Sequence, residues 1–412
     1  MRSVSVDLGS ETAWVQAGAT LGELYYGIAE KSGIHGFPAG TCPGVGVGGH
    51  FSGGGLGTLL RKHGLGCDNI VDAKLVDVNG RILERATMGD DLFWAIRGGG
   101  ASFGVILSWK IKLVVVPPQV TVFAITKTLG EGALKLAYKW QHIVDKLHED
   151  LFIRLFIQVA SGSQTQGKKT IQVLFSSMFL GGVEILLPLM TQSFPELGLL
   201  QKDRTQMSWI ESILYFAGHQ YGESLETLLD RNHAVNQFFK GKSDFVKEPI
   251  SEFGLQGIFQ ILLEEEKGYM ILDPLGGKMN KISESETPFP HRLGNLYNIQ
   301  YTVKWKEQEN EVSMKHMQWI RKLYGYRTPY VSNSPRTAYI NYIDLDLGRN
   351  KLDGNKSDYY TSAQMWGRMY FKANFDRSAR VKSKVDPDNF FRNEQSIPPL
   401  PYQPAPVSRK LV

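Results

Sequence analysis

Between Thr41 and Gly57 the chain reads TCPGVGVGGHFSGGGLG, and eight of the fourteen residues from Gly44 to Gly57 are glycine. Glycine lacks a Cβ, so backbone built from it can lie close to a flat or charged ligand, at the cost of more conformational entropy lost on folding. Such a stretch either stays loose or is held by something that offsets that loss. Flexible linkers are Gly/Ser-rich and do not embed Cys, His, Val and Phe. A backbone cradle for a large cofactor, with Cys42 and His50 at its edge, accounts for the composition better than a linker does.

With 412 residues the chain has room for two domains, or for one large domain with an insertion. Its 42% hydrophobic and 21% charged content is that of a globular protein, which sets aside disordered and fibrous classes. The 46 basic and 41 acidic residues leave a net charge of +5, spread along the chain without a nucleic-acid-binding module, so no nucleic-acid partner is expected. Cys42 and Cys67 are the two cysteines, too few for a disulfide framework and without metal-ligand spacing, so no metal site is expected. No apolar run reaches the length of a membrane span. The first residues enter strand-like alternation without the regions of a secretory signal, and the expectation is that the beginning of the protein is missing.

Residues 1–115 alternate β-rich runs (Ala13 to Ala17, Ile70 to Val78, Val105 to Leu113) with glycine loops and one helix-like stretch, Leu21 to Ser32. Asp77-Val-Asn-Gly80 reads as a hairpin turn. This part is predicted to be a mixed α/β domain. After Pro117-Pro118, amphipathic stretches at Gly132 to Leu147 and Ser313 to Tyr324 interleave with strand-like runs at Phe152 to Ala160, Thr170 to Phe179 and Leu296 to Trp305. That predicts an α+β domain over 116–357, an antiparallel sheet covered by helices on one side. From 358 to 412 a helix is predicted to end near Asn374, followed by a short basic helix, a DPDNFF turn and a proline tail that packs back on the first domain.

Cys42, in the entrance of the glycine loop, is either a small buried hydrophobe, as free cysteines commonly are, or a thiol made nucleophilic by surrounding backbone N–H groups. Cys67, before a strand, reads as a core filler. His50 is either a packing histidine that satisfies a backbone carbonyl or a functional one. A second cluster, Gly98-Gly99-Gly100-Ala-Ser-Phe-Gly104, is neither a GxGxxG between strand and helix nor a P-loop. Two separate glycine cradles suit a long, bent cofactor. In TAYINYIDLDLG, Tyr339 and Tyr342 are predicted near a strand end on opposite faces, so that at most one enters a given pocket; tyrosine acts as a base where cationic or flavin neighbours lower its pKa. Asp344 and Asp346 fit a solvated edge, a salt bridge or a dyad. Asn298 and Gln300 share one strand face and meet either a pocket or water.

The segments CPGVGVGGHFSGGGLG, DNIVDAKLVDVNGRIL, GDDLFWAIRGGGASFGVILSWKIKL, SPRTAYINYIDLDLG and KVDPDNFFRNEQSIPPLP closely resemble the plant berberine bridge enzyme-like oxidases, almost end to end and in order. The resemblance implies an α+β flavoprotein with a vanillyl-alcohol-oxidase type FAD domain. By position it implies that Cys42 bonds covalently to C6 of the flavin and that Val45 governs O2 access. Gly46, Val47, Gly48, Gly49 and His50 would wrap the flavin, with Leu56 beside them and Gly98, Gly99, Gly100, Gly104 and Val105 as a second FAD-contacting segment. Tyr342 matches the catalytic base, Gln300 and Asn298 match variable active-site positions, and Asn389 lies in the returning tail. Three departures accompany the likeness. The upstream subdomain, with its second flavin-linking histidine and pyrophosphate loop, is not in the sequence; Leu56 stands where a tyrosine is frequent; Ile343 stands where an arginine is usual. The activity so implied is FAD-dependent oxidation of an alcohol or related CH–OH or CH–N carbon. In it Tyr342 takes the proton, hydride goes to flavin N5, and O2 is reduced to H2O2. The alternatives are a dehydrogenase with another acceptor and a catalytically silent form. A small-molecule substrate of monolignol, carbohydrate or alkaloid type, a monomer, and a secreted, cell-wall or vacuolar glycoprotein with a sequon at Asn355 are the remaining expectations.

Overall fold

The computed structural model describes residues 1–161, 169–232, 236–351 and 356–401, with backbone only at 356 and 357. The sequon at Asn355 lies outside them. The first part of the chain contributes β1 (Val4–Asp7), β2 (Thr12–Gln16), β3 (His35–Gly36), β4 (Ile70–Val76), β5 (Ile82–Leu83), β6 (Val105–Lys112) and β7 (Val114–Val115). Its helices are α1 (Leu21–Ala29), α2 (Val47–Ser52), α3 (Leu60–His63) and α4 (Arg85–Ile96). Five of these strands form one sheet in the order β1-β2-β6-β4-β5. Asp77 builds the turn from β4 into β5: its Oδ1 accepts from the Asn79 and Arg81 N–H groups, both at 2.9 Å, and Gly80 takes φ +75°. The helix predicted over Leu21 to Ser32 starts where Thr20 and Glu23 cap each other, and stops early, at Ala29; the Ser32 hydroxyl lies 2.7 Å from His35 Nδ1 instead.

The second part contributes β8 (Val120–Thr128), β9 (Leu151–Ser161), β10 (Lys169–Phe179), β11 (Arg204–Met207), β12 (Phe238–Val246), β13 (Gly268–Pro274) and β14 (Tyr297–Trp305). They form an antiparallel seven-stranded sheet in the order β11-β8-β10-β9-β13-β14-β12. Around it lie α5 (Ala133–Ile143), α6 (Val183–Ser193), α7 (Trp209–Ala217), α8 (Glu252–Leu262) and α9 (Asn310–Tyr326). Alternation along the strands sends Leu155, Ile157, Val173, Phe175, Leu272 and Ile299 into one core with Trp140 of α5, Ile258 of α8 and Ile320 of α9. The opposite face turns Val122, Phe152, Met178 and Phe245 into a separate core shared with Val15, Trp109 and Phe51 of the first part.

The last segment holds α10 (Lys356–Phe371) and α11 (Asn374–Val385). Asn374 opens a helix rather than closing one, because Lys372 takes φ +47° between the two. Trp366, Tyr370, Phe375 and Ala379 belong to the same core as the first part. Lys382, fully buried, donates to the carbonyls of Ser102 (2.6 Å) and Phe391 (2.7 Å) and to Asp386, tying α11 to the second glycine cluster. Among the described residues no helix is long and apolar enough to cross a membrane.

Candidate active site

A cavity of about 1040 Å³ lies where the sheet's open face meets the glycine loops. Register fixes what the sheet presents to it. Leu174 of β10 pairs with Phe156 of β9, Phe156 with Ile271 of β13, and Ile271 with Gln300 of β14, so one apolar row ends in an amide. Two residues along, Ala124, Ser176, Arg154 and Asp273 form a second, polar row on the same face. Tyr215 and Phe216 of α7 add rings to the wall.

Arg154 and Asp273 make a two-pronged ion pair, Nε to Oδ1 at 2.7 Å and Nη2 to Oδ2 at 2.8 Å, with side chains 16% and 7% exposed. The remaining guanidinium nitrogen reaches Thr41 Oγ1 at 3.4 Å, joining the sheet to the residue before Cys42. Despite burial, the guanidinium is held above its ordinary pKa by Asp273.

On the other wall, the glycine segment folds as a loop running into the short α2. Cys42 is exposed to the cavity, as are Val45, Gly46, Gly49 and His50. A Cβ added at Gly46 or Gly49 would meet nothing within 4 Å, and one at Gly100 would meet only Ile340, at 3.8 Å; bare backbone faces the void at these positions. Gly48 is glycine for a different reason, since a Cβ there would come 2.8 Å from the Ala17 carbonyl oxygen. His50 does not satisfy a carbonyl through its ring. Its Nε2 accepts the Gly40 N–H at 2.9 Å, which requires the neutral imidazole, and burial lowers its pKa to about 4. Leu56 is 6% exposed and on the wall. Cys67 is fully buried, its thiol pKa raised by desolvation, the core filler its setting predicts.

The tyrosines depart from the strand reading. Residues 336–344 form an irregular segment, and both Tyr339 and Tyr342 line the cavity, their rings in edge contact at 4.9 Å. The strand-alternation argument fails because tertiary bonds, not a ladder, hold the segment. Ser243 Oγ of β12 accepts the Tyr339 N–H (2.9 Å), and Tyr339 Oη accepts from the N–H groups of Gly55 (2.9 Å) and Leu56 (3.2 Å) and from Asn341 Nδ2 (2.7 Å). Asn341 Nδ2 also donates to the His50 carbonyl at 2.9 Å. Beyond Tyr342, Asp344 receives Lys240 and Lys242 of β12, which settles the aspartates as a salt-bridge network, with Asp346 also taking Arg321. Tyr342 itself is pushed well above the ordinary phenol pKa, first by burial and then by Asp273, with Arg154 opposing. The cation does not bring it below the ordinary phenol value, as a tyrosine base would want.

Gln300 reaches the cavity. Asn298 lies one step deeper on the same face, buried, donating from Nδ2 to the Asp244 carbonyl at 3.0 Å, and is not on the wall. Val47 points into the core, Gly98 faces Phe289, and Asn389, with φ +56°, is buried and off the wall, which the tail residues Asn393 and Gln395 do reach. Gly99 and Gly100 line the cavity. Gly48, Gly104 and Val105 line a second cleft of about 480 Å³ that shares Gly49, Ser52, Gly100, Ala101 and Asn393 with the first and carries Arg392. Arg154, Asp273, Phe156, Tyr215 and Asn393 also line the cavity, and no local sequence signal marks them. Alternation in β9 puts Arg154 and Phe156 on one face, but only the β9 to β13 register brings Asp273 to that arginine.

Two joined voids bordered by bare glycine backbone, with few charges, fit an elongated dinucleotide whose flat ring needs close backbone approach. Comparison with known proteins points the same way. A family model described as "FAD binding domain" matches residues 1–85 and one described as "Berberine and berberine like" matches residues 338–398. Berberine bridge enzyme-like 23 of Arabidopsis thaliana is 56% identical over 403 residues, covering 97% of this chain and 74% of its own length. A tetrahydroberberine oxidase of Argemone mexicana is 53% identical over 403 residues, covering 97% and 73%. The solved berberine bridge enzyme of Eschscholzia californica superposes with a TM-score of 0.92 at 41% identity, covering 98% of this chain and 80% of that one. The fold is thus the α+β, vanillyl-alcohol-oxidase type of flavoprotein. The chain belongs to the berberine bridge enzyme-like family of flavin oxidoreductases, with FAD as its cofactor.

Proposed function

We propose that the cavity carries out oxidation of an alcohol or related CH–OH or CH–N carbon with O2 as final acceptor. The observation that carries this reading is one cavity with Cys42, Val45 and bare glycine backbone on one side and Tyr342, Gln300 and the Arg154–Asp273 pair on the other. FAD, when bound, supplies a hydride acceptor. Gly46, Gly48, Gly49, Gly99, Gly100, Gly104 and Val105 would hold it, Cys42 would be its covalent tether, and Arg392 stands in the second cleft. The neutral His50 fixes Gly40 and so the approach to Cys42. Tyr342, once ionised to tyrosinate beside Arg154 and against the opposing burial and Asp273, receives the substrate's hydroxyl proton at Oη, Gln300 orients the substrate, and Val45 borders the path of O2. Val47, Gly98, Asn298 and Asn389 do not line the cavity and have no direct part in this reading. The chain's division into 1–115, 116–357 and 358–412, with the last returning to the first, is part of the proposal; up to residue 401 that return is supported by Trp366, Tyr370, Phe375 and Ala379 sharing a core with Val15, Trp109 and Phe51.

Denatured wild-type protein is expected to keep its yellow colour through gel filtration, and Cys42→Ala to lose it; colour persisting on the denatured variant overturns the tether. Anaerobic reduction followed by rapid mixing with O2 tests the acceptor. A second reading, a dehydrogenase, is favoured by solved relatives described as a glucose dehydrogenase and a reticuline dehydrogenase, and slow reoxidation would select it. A monomeric, secreted or vacuolar glycoprotein completes the proposal.

A further inference from the structure

We infer that the C-terminal tail positions the proposed base: Gln395, together with Tyr370 of α10, closes a ring of hydrogen bonds on the peptide groups of Asp344 and so fixes where Tyr342 stands. The inference rests on the reading above, that Tyr342 takes the substrate's proton.

Tyr342 is not held by its own side-chain polarity. Among the described residues no hydrogen bond reaches its hydroxyl, and the next side chain, Ile343, is 62% exposed. Its place is therefore set by the backbone on either side. Upstream, the Tyr342 N–H donates to the Tyr339 carbonyl at 2.9 Å, and Tyr339 is bonded to Ser243 and to the glycine loop. Downstream the anchor is the buried Asp344. Lys240 and Lys242 hold its carboxylate, and the Asp346 N–H donates to Oδ1 at 3.0 Å.

The peptide groups of Asp344 belong to the C-terminal segment. The Asp344 N–H donates to Tyr370 Oη at 3.0 Å, the Tyr370 O–H donates to Gln395 Oε1 at 3.2 Å, and Gln395 Nε2 donates back to the Asp344 carbonyl at 2.9 Å. The direction of this ring is forced. A backbone N–H only donates and a carbonyl only accepts, so the hydroxyl and the amide have one orientation each. The same Nε2 donates to the Gly348 carbonyl at 2.8 Å, so Gln395 spans the turn that follows the base. Tyr370 and Gln395 are both buried, and removing either side chain leaves buried donors and acceptors without partners unless the segment shifts.

The tail that carries Gln395 is fixed at its other side to the cavity's opposite wall. The Ile397 N–H donates to Ser102 Oγ at 3.0 Å, and Ser102 follows Gly100 and Ala101 of the second glycine cluster. Asn350 Nδ2 holds the stretch in between, donating to the carbonyls of Asn393 (3.1 Å) and Ser396 (2.7 Å). Residues 393–397 thus tie the glycine wall to the tyrosine segment and keep one spacing between them. Misplacing a reacting group by about 1 Å costs about a hundredfold in rate, so a ring behind the base governs the chemistry without touching it.

Fluorine NMR of the flavin-loaded protein labelled with 3-fluorotyrosine tests this, the Tyr342 signal being the one lost in Tyr342→Phe. Gln395 borders the cavity and Tyr370 does not, so Gln395→Met and Tyr370→Phe together separate positioning from contact with a ligand. Each is expected to move the Tyr342 signal. Ser383→Ala, which frees the Leu400 N–H of the same tail outside the ring, should leave it in place. A Tyr342 signal unmoved by the ring variants overturns the inference, as does one that Ser383→Ala moves equally; if one ring variant fails to fold, the other decides. In anaerobic flavin reduction by benzyl alcohol, the ring variants should lower the limiting rate about tenfold or more with the half-saturation concentration unchanged, and should cost less than about twofold in a Tyr342→Phe background. Equal losses in both backgrounds also overturn it. Should Tyr342→Phe reduce as fast as the wild type, the reading of Tyr342 as base falls, and the NMR comparison still decides the positioning, whether or not the probe is turned over.

Discussion

Tyr342 stands between two groups of opposite effect, and separating them tests both the ion pair and the tyrosine. Asp273 raises the phenol's pKa and Arg154 lowers it. Replacing Asp273 by Asn removes the raising charge and frees the guanidinium, so tyrosinate should form at lower pH than in the wild type. Replacing Arg154 by Met removes the opposing charge and leaves Asp273 bare, so it should form at higher pH. Ultraviolet difference titration against Tyr342→Phe isolates this residue from the other sixteen tyrosines. Stability gives the magnitude. Breaking a fully buried ion pair from one side costs about 3–5 kcal/mol; Arg154 is 16% exposed and borders a cavity, which lowers the expectation for either single variant to about 2–3 kcal/mol. Removing both partners leaves no unpaired charge, so the double variant should lose less than the sum, with a coupling of about 2 kcal/mol, inside the range found for residues in direct contact. Scanning calorimetry on the four proteins reads the cycle. Costs additive to within about 0.5 kcal/mol, or two single variants that move the tyrosine titration in the same direction, would refute the reasoning.

His50 makes a pH prediction. Its folded pKa, about 4, lies below the ordinary value of 6.5, so between these the unfolded chain binds the proton that the folded one excludes. Its contribution to stability is complete above about pH 6.5 and is lost as pH falls toward 4, at no more than about 1.4 kcal/mol per pH unit. His50→Gln should therefore flatten the acid limb of a melting-temperature profile; an unchanged slope contradicts the neutral-acceptor role. Gly57→Ala places a Cβ on the Ala39 carbonyl oxygen, deep inside van der Waals contact. The backbone before Cys42 must give way, and a loss of about 1–3 kcal/mol is expected in thermal unfolding; a variant as stable as the wild type would show that this approach is not close.

The glycine wall was legible because its cause is local. Eight glycines around a Cys and a His mark a place of close backbone approach; the structure turns Gly46, Gly49 and Gly100 to an open void, while Gly48, Gly53 and Gly57 are packed against Ala17, Asn341 and Ala39 of the protein itself. Long strands were equally readable from period-two alternation: Phe152 to Ala160 and Thr170 to Phe179 each fall inside a strand one residue longer at one or both ends. Alternation also placed Asn298 and Gln300 on one face, but it could not say how deep each lies. Gln300 meets the cavity while Asn298, two residues nearer the first part, is already covered.

What the sequence concealed depends on who lies opposite whom. Arg154 and Asp273 are 119 positions apart, and no local signal marks either as a site residue. They meet because β13 runs antiparallel beside β9 with Leu272 opposite Leu155, which places the next residue of β13 beside the preceding one of β9. The tyrosine segment shows the complementary failure. Its alternating pattern suggests a strand, yet Ser243, Lys240 and Lys242 of β12 supply the bonds, and they go to the Tyr339 N–H and the Asp344 carboxylate instead of forming a backbone ladder. Freed from strand geometry, two tyrosines three residues apart face the same void, and one of them is pinned by the glycine loop's own N–H groups. The wall proposed to hold the cofactor thus also sets where the proposed base stands. Loosening Tyr339 should therefore disturb Tyr342 and the glycine loop together.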